Sequence, residues 1–201
     1  GYGNAVNVHF TVRELEAAGA AGLNLEDQTF PKRCGHMSGK DVIAMDEMVR
    51  KVDAARCAAR DPDFVINART DALAVLGLEE TIRRGNAYAR AGATLVYVEA
   101  VRSEEEIAAV VAGIEAPVSI TLGEGGRTPL LTFERLQELG VARVSCPGTA
   151  LFAAIRGIED ALRALRQNDG PAAHASRIAD LNHYREVIGW GEVDRLERRY
   201  A

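Results

Sequence analysis

Apolar and polar positions along this chain fall into one recurring unit. A helical stretch ends at a glycine, a short apolar run follows, and a polar or glycine-rich loop comes next. Three copies are plain: Glu14-Leu-Glu-Ala-Ala-Gly19 into Leu23-Asn-Leu-Glu26, Tyr88-Ala-Arg-Ala-Gly92 into Leu95-Val-Tyr-Val-Glu99, and Leu136-Gln-Glu-Leu-Gly140 into Val141-Ala-Arg-Val-Ser145. Glycine at the helix C′ position relieves left-handed backbone strain. Glu26 and Glu99 each follow that glycine by seven residues, so both are expected at the C-terminal end of a strand. Further strands are predicted at 64–69 and 117–121. Helices are predicted around 5–19, 46–60, 79–91, 103–113, 132–139 and 148–167. Phe64-Val65-Ile66 and Leu95-Val96 predict strands apolar on both faces, as in a parallel sheet covered by helices.

Alternating β and α units of this length imply a doubly wound sheet or a barrel. No GxGxxG or GxxxxGK[ST] loop follows a strand, which weighs against the nucleotide-binding wound sheets. Five strands against the eight of a complete barrel predict an α/β, TIM-type (β/α)8 barrel lacking about three N-terminal strands. Residues 1–168 are assigned to this partial barrel. Beyond Asn168-Asp-Gly-Pro171 the pattern turns purely helical, near 174–188 and 190–200. Residues 169–201 are therefore expected to form a C-terminal helical extension, packed on the barrel or exchanged with a neighbour.

Composition narrows the function classes. The 201 residues carry 24 basic and 29 acidic side chains, a formal net charge of −5, and no Lys- or Arg-rich segment. Nucleic acid is not an expected partner. The longest apolar runs are about half a dozen residues, far short of a membrane span. No signal peptide is evident. Cys34, Cys57 and Cys146 are sparse, odd in number and without CxxC spacing, which predicts reduced thiols and a cytoplasmic protein. The opening Gly1-Tyr2-Gly3 lacks an initiator Met, so the start is expected to be missing.

In a β/α barrel the chemistry sits at the C-terminal strand ends. Here those ends read Glu26-Asp27-Gln28, Arg69-Thr70-Asp71, Glu99, Thr121 with Glu124 beyond it, and Ser145-Cys146. Any single strand end can be polar because it meets solvent; Glu26, Arg69 and Glu99 together point to a site. The first strand runs into Pro31-Lys32-Arg33-Cys34-Gly35-His36-Met37-Ser38-Gly39-Lys40. A thiol among these cations stands in surroundings that favour thiolate chemistry. The glycines suit a closing lid. Cys34 could serve as nucleophile, metal ligand or proton donor. A Cys34–His36 metal pair is disfavoured because no further Cys or His lies close by.

Lys32-Arg33-Cys34-Gly35-His36 resembles the K-[KR]-C-G-H signature of the isocitrate lyase and phosphoenolpyruvate mutase superfamily. Leu25-Glu26-Asp27-Gln28, Asn67-Ala-Arg-Thr-Asp-Ala72, Val98-Glu99-Ala100 and Glu124-Gly-Gly-Arg-Thr-Pro129 resemble its other landmarks, in family order. Gly1-Tyr2-Gly3 resembles the end of its D-T-G-[FY]-G segment, so metal-binding Asp residues are expected before Gly1. The resemblance implies Mg²⁺ (or Mn²⁺) bound with the help of Glu26. It implies that Arg69 grips a substrate carboxylate, with Lys32, Gly35 and Thr121 also substrate-facing. Cys34 is then the general acid, aided by His36 and Arg33, and Glu99 orients substrate or assists proton traffic.

The implied reaction is retro-aldol (Claisen-type) cleavage of a small 2-hydroxy di- or tricarboxylic acid. A 2-methylisocitrate or 2-alkylmalate would give a keto acid such as pyruvate plus a carboxylate such as succinate. The family often has Asn where Thr121 stands, which leaves substrate choice open. Oxaloacetate decarboxylation, phosphonopyruvate-type P–C chemistry and a catalytically silent binding barrel stay as alternatives. A homotetramer is expected, with the tail exchanged between subunits. Cys57, among alanines, is expected as buried packing, and Cys146, at a strand end, is not assigned to the chemistry. His9, His174 and His183 are expected on helices without a catalytic role. Glu104-Glu105-Glu106 after Ser103 reads as a capped helix start.

Overall fold

The computed structural model describes residues 3–35, 37–167 and 170–201. The chain divides into two compact units, Gly1–Pro147 and Gly148–Ala201. The first runs α1 (Ala5–Ala17), β1 (Gly22–Glu26), α2 (Met45–Ala58), β2 (Val65–Thr70), α3 (Leu73–Leu76), α4 (Leu78–Arg90), β3 (Leu95–Val98), α5 (Glu104–Gly113), β4 (Val118–Thr121), α6 (Phe133–Glu138) and β5 (Arg143–Ser145). The second holds α7 (Thr149–Arg166), α8 (Leu181–Val187) and α9 (Trp190–Tyr200).

The glycine-terminated units form as the sequence predicts. Gly19, Gly92 and Gly140 adopt φ of 89°, 105° and 83°. At each, the next amide reaches back to close the helix: Ala20 N–H to Leu15 O, Ala93 N–H to Tyr88 O and Val141 N–H to Leu136 O, all 3.0 Å. These are Schellman closures, which satisfy the last carbonyls and turn the chain into the following strand. Ser103 caps α5 by accepting from Glu106 N–H at 3.2 Å, with three glutamates in the first turn.

All four strand pairings are parallel, and the spatial order is β1-β2-β3-β4-β5. A doubly wound sheet reverses its strand order at a switch point. Strictly consecutive order among the described residues is the wall of a β/α barrel.

The two sheet faces differ, which corrects the expectation of apolar residues on both. Leu25, Ile66, Ala68, Val96, Val98, Val118 and Ile120 are buried in the core beneath the helices, with Val12, Met48, Val52, Tyr88, Ile107 and Val110. The opposite face carries Asn24 and Asn67 at one level, then Glu26, Arg69, Tyr97 and Ser119 in register at the next. Strand residues alternate between faces, so the short apolar runs supply mainly the helix-covered face, although Leu95 lies beside Asn67 on the other. Val65, counted as apolar filling, is 39% exposed.

Three local expectations also change. Cys57 is exposed on α2 rather than buried, because it falls off the face that buries Val52, Ala55 and Ala58. The tail is not helical from residue 174. Two 3₁₀ turns, Pro171–Ala173 and Ala175–Arg177, precede an extended Ile178, and α8 starts only where Asp180 accepts from His183 N–H at 2.8 Å. His174 is the buried residue between those turns, whereas His9 lies on α1 and His183 on α8. No helix among the described residues is long and apolar enough to cross a membrane.

Candidate active site

Parallel pairing sets Glu26 beside Arg69 and Arg69 beside Tyr97. Two residues further along, the same face carries Asp71, Glu99 and Thr121. Three carboxylates thus converge on one guanidinium. Arg69 Nε lies 2.8 Å from Glu26 Oε1 and 3.0 Å from Asp71 Oδ2, and Nη2 lies 3.3 Å from Glu99 Oε2. The guanidinium also stacks 4.9 Å from the Tyr97 ring centroid. The Tyr97 hydroxyl donates to Glu99 and is hydrogen-bonded to the Thr121 hydroxyl. Thr121 therefore acts on the cluster through Tyr97.

The charges shift one another. Burial and the adjoining Asp71 raise Glu26 above the usual carboxylate range, although Arg69 and Lys32 oppose this. Burial would raise Asp71 too, but hydrogen bonds from Glu26, Arg69 and Lys40 outweigh it and pull it down. Burial acts against the charge on Arg69, yet Asp71 and Glu99 hold it firmly protonated. Glu26 is the member of the pair that retains a proton most readily.

The loop after β1 is pinned over this cluster. Its ends run antiparallel, with Gln28 bridged to Val42, Thr29 N–H donating to Asp41 O at 2.9 Å and Ile43 N–H to Asp27 O at 2.8 Å. The Gln28 side chain clasps Arg33 from both sides, accepting its N–H at 2.8 Å and donating to its carbonyl at 2.9 Å. The same Gln28 amide reaches Glu26 Oε1 at 3.2 Å. Lys32 pairs with Glu26 at 3.1 Å, and Lys40 with Asp71 at 2.6 Å. Cys34 sits exposed between these ties, its carbonyl accepting from Met37 N–H at 2.9 Å. Arg33 is exposed, and His36 lies outside the described residues.

Gly35 is buried against Glu99, and a β-carbon there would overlap the Glu99 carboxylate. Gly35→Ala is accordingly expected to lift the loop and lower kcat by about 10²-fold, the scale of a misplacement of about 1 Å. Steady-state kinetics with a parallel thermal melt would separate this from unfolding.

Behind the cluster, the first strand end carries a second anchor. Asp27 is fully buried and accepts from Thr70 Oγ1 at 2.7 Å, Tyr88 OH at 2.8 Å, Asp71 N–H at 2.9 Å and Arg84 Nη1 at 3.2 Å. Burial raises its pKa against the pull of these partners. Asp27→Ala would strip buried Arg84, Tyr88, Thr70 and the Asp71 N–H of their shared acceptor, at an expected cost of about 3–5 kcal/mol. The midpoint of urea denaturation reads that loss.

A cavity of about 700 Å³ opens beside Glu26 and Arg69, lined also by Asn24, Gln28, Lys32 and Lys51. On the same sheet face, Asn67 Oδ1 and Ser119 Oγ have no hydrogen-bond partner. Carboxylate oxygens such as those of Glu26 and Asp71, which flank Arg69 Nε together, are the hard donors that a Mg²⁺ ligand set needs. Among the described residues no group of three Asp, Glu, His or Cys is arranged to hold a metal, so Glu26 and Asp71 offer part of a set.

The predicted residues Glu26, Arg69 and Glu99 thus meet directly; Lys32 and Gly35 touch the cluster, and Thr121 reaches it through Tyr97. Asp71, Lys40, Tyr97 and Gln28 are central to it; Asp71 and Gln28 had been named only as parts of polar strand ends, Lys40 only as a loop cation, and Tyr97 had been given no role. Asp71 and Gln28 had a usable signal, lying two residues beyond Arg69 and Glu26 and hence on the same face. Lys40 had none, because its partner is 31 residues away.

A barrel wall whose strand ends gather carboxylates around one arginine, under a pinned loop, defines a β/α-barrel enzyme for small anionic substrates. The chain belongs to the phosphoenolpyruvate phosphomutase family, matched by residues 1–166. It is 38% identical to 2,3-dimethylmalate lyase of Eubacterium barkeri over 201 residues, covering 100% of this chain and 70% of that protein. A structure of oxaloacetate acetylhydrolase with the inhibitor 3,3-difluorooxalacetate matches with TM-score 0.87 at 35% identity, covering 98% of this chain and 67% of that one. Phosphonopyruvate hydrolase in complex with oxalate and Mg²⁺ matches with TM-score 0.85 at 32% identity, covering 100% and 70%. The chain spans between 60% and 70% of the length of its curated relatives.

Proposed function

We propose that this chain carries most of the catalytic barrel of a Mg²⁺-dependent carbon–carbon lyase. Its substrate is a small 2-hydroxy di- or tricarboxylic acid of the 2-alkylmalate or 2-methylisocitrate type. The observation that carries this reading is the convergence of Glu26, Asp71 and Glu99 on Arg69 beneath the Cys34 loop. The 38% identity to a dimethylmalate lyase supports it.

Glu26 and Asp71 would supply part of the metal's ligand set, and the ion would supply Lewis-acid polarisation of the substrate's 2-oxygen. Arg69 presents a planar cation to a substrate carboxylate. Glu99, hydrogen-bonded by Tyr97, would take up the 2-hydroxyl proton. As the C–C bond breaks, its electron pair passes to the fragment that becomes the carboxylate product. Cys34 would give that carbon its thiol proton. The barrel is assigned to residues 1–168 and the tail to 169–201. Exposed Leu181, Val187 and Trp190 support a tail exchanged within a homotetramer. Light scattering should give four subunits, and a monomer would exclude the exchange. Three free thiols support a reducing, cytoplasmic setting.

The test is identification by NMR of the products formed from 2-alkylmalates, 2-methylisocitrate, oxaloacetate and phosphonopyruvate, with Mg²⁺ or with chelator. Cleavage of a 2-hydroxy acid that chelator abolishes is the expected result. Oxaloacetate turnover alone would favour the activity class of the acetylhydrolase or a decarboxylase, and phosphonopyruvate turnover the P–C branch. No turnover would point to a binding barrel.

A further inference from the structure

Lys40 is the feature that the proposed chemistry leaves unused. Its side chain is 3% exposed and its partner Asp71 is fully buried. The ammonium donates to Asp71 Oδ1 at 2.6 Å and also to the carbonyl of Gly35, the residue after Cys34. The other oxygen of the same carboxylate, Oδ2, receives Arg69 Nε at 3.0 Å. Asp71 is itself fixed from behind, its N–H donating to buried Asp27 at 2.9 Å. One rigid carboxylate therefore sets both the carboxylate grip on β2 and the backbone beside the thiol. A long, flexible amine buried this deeply is costly unless it is paired and hydrogen-bonded, and both partners here lie on the loop–cluster seam.

We propose that Lys40 and Asp71 are positioning residues that index the Cys34 loop to Arg69, so that proton donor and substrate grip are set by a single carboxylate. The kinetic consequence rests on the lyase reading above; the position of the loop does not. Gln28 holds the N-terminal side of the loop, at Arg33. Lys40 is the tie on the far side, where its ammonium donates to the Gly35 carbonyl.

The test is Lys40→Met in the intact protein, read in two ways. Limited trypsin digestion, followed by mass spectrometry, measures cleavage after Lys32 and Arg33 relative to cleavage elsewhere, which normalises for global unfolding. The expected result is loop cleavage at least about tenfold faster than in the wild type, because local opening governs the rate. Kinetics should show kcat lowered about 10- to 100-fold with KM within about threefold, since Arg69 still grips substrate. Asp71→Asn should free the loop equally and raise KM as well. The double variant should be cleaved no faster than either single one, the mark of a shared latch. Unchanged loop cleavage in Lys40→Met would overturn the proposal, as would a loss confined to KM. If the wild type turned over none of the carboxylates, the lyase reading would fall while the digestion still decided the latch.

Discussion

Cys34→Ser is expected to lower kcat by about 10²- to 10⁴-fold, the usual contribution of a general acid, with KM nearly unchanged. The loop is tied down through the Arg33 backbone, the Gly35 carbonyl and Lys40, none of which involves the thiol. A serine there should therefore sit where the cysteine sat, with the same reach. What changes is the donor, because a serine hydroxyl releases its proton far less readily than a thiol. Saturation kinetics on the best 2-hydroxy acid, with tryptic protection of the loop measured in parallel, checks both halves. A kcat within about threefold of wild type would remove Cys34 from the chemistry.

Arg69→Lys should lower kcat/KM by about 10- to 100-fold through KM as well as kcat, the scale of one or two charge-assisted hydrogen bonds. A lysine keeps the positive charge but cannot bridge Glu26, Asp71 and Glu99 while offering a planar edge to substrate. Arg69→Ala is a harsher case: three largely buried carboxylates would lose their common counter-ion, and stability is expected to fall by about 3–5 kcal/mol. Initial-rate kinetics on the lysine variant and denaturant unfolding of the alanine variant separate the two roles. Equal loss of kcat/KM in both, with unchanged stability, would contradict the description of Arg69 as the hub.

The fold was legible wherever local chemistry dictates it. Gly19, Gly92 and Gly140 announce helix ends by composition alone, and the seven-residue spacing to Glu26 and Glu99 follows from the geometry of turn and strand. The polar sheet face was misread because Asn24, Asn67 and Ser119 are isolated in sequence and line up only through strand register. The tail was misread because Asp180, a strong N-cap, restarts a helix that apolar spacing alone would run through.

Within the site, residues on the strands could be placed from alternation. Contacts made by loops could not. Lys40 looks like any loop lysine until Asp71 is brought beneath it, and Gly35 looks like a flexibility residue until Glu99 fills the space its side chain would need. The loop's cations singled out Cys34 and the resemblance to a family implied its role, but the struts that hold Cys34 are properties of the assembled seam.

The central claim is that a C–C bond breaks and that a protein thiol protonates the released carbon. Cleavage of a 2-alkylmalate in deuterated water, followed by NMR, tests this most directly. The account predicts keto acid and carboxylate in equal amounts, with one deuterium on the carboxylate at the carbon that lost its bond, formed about 10²- to 10⁴-fold more slowly by Cys34→Ser. Carbon dioxide without a second carboxylate, or deuterated carboxylate formed equally fast by Cys34→Ser, would contradict it.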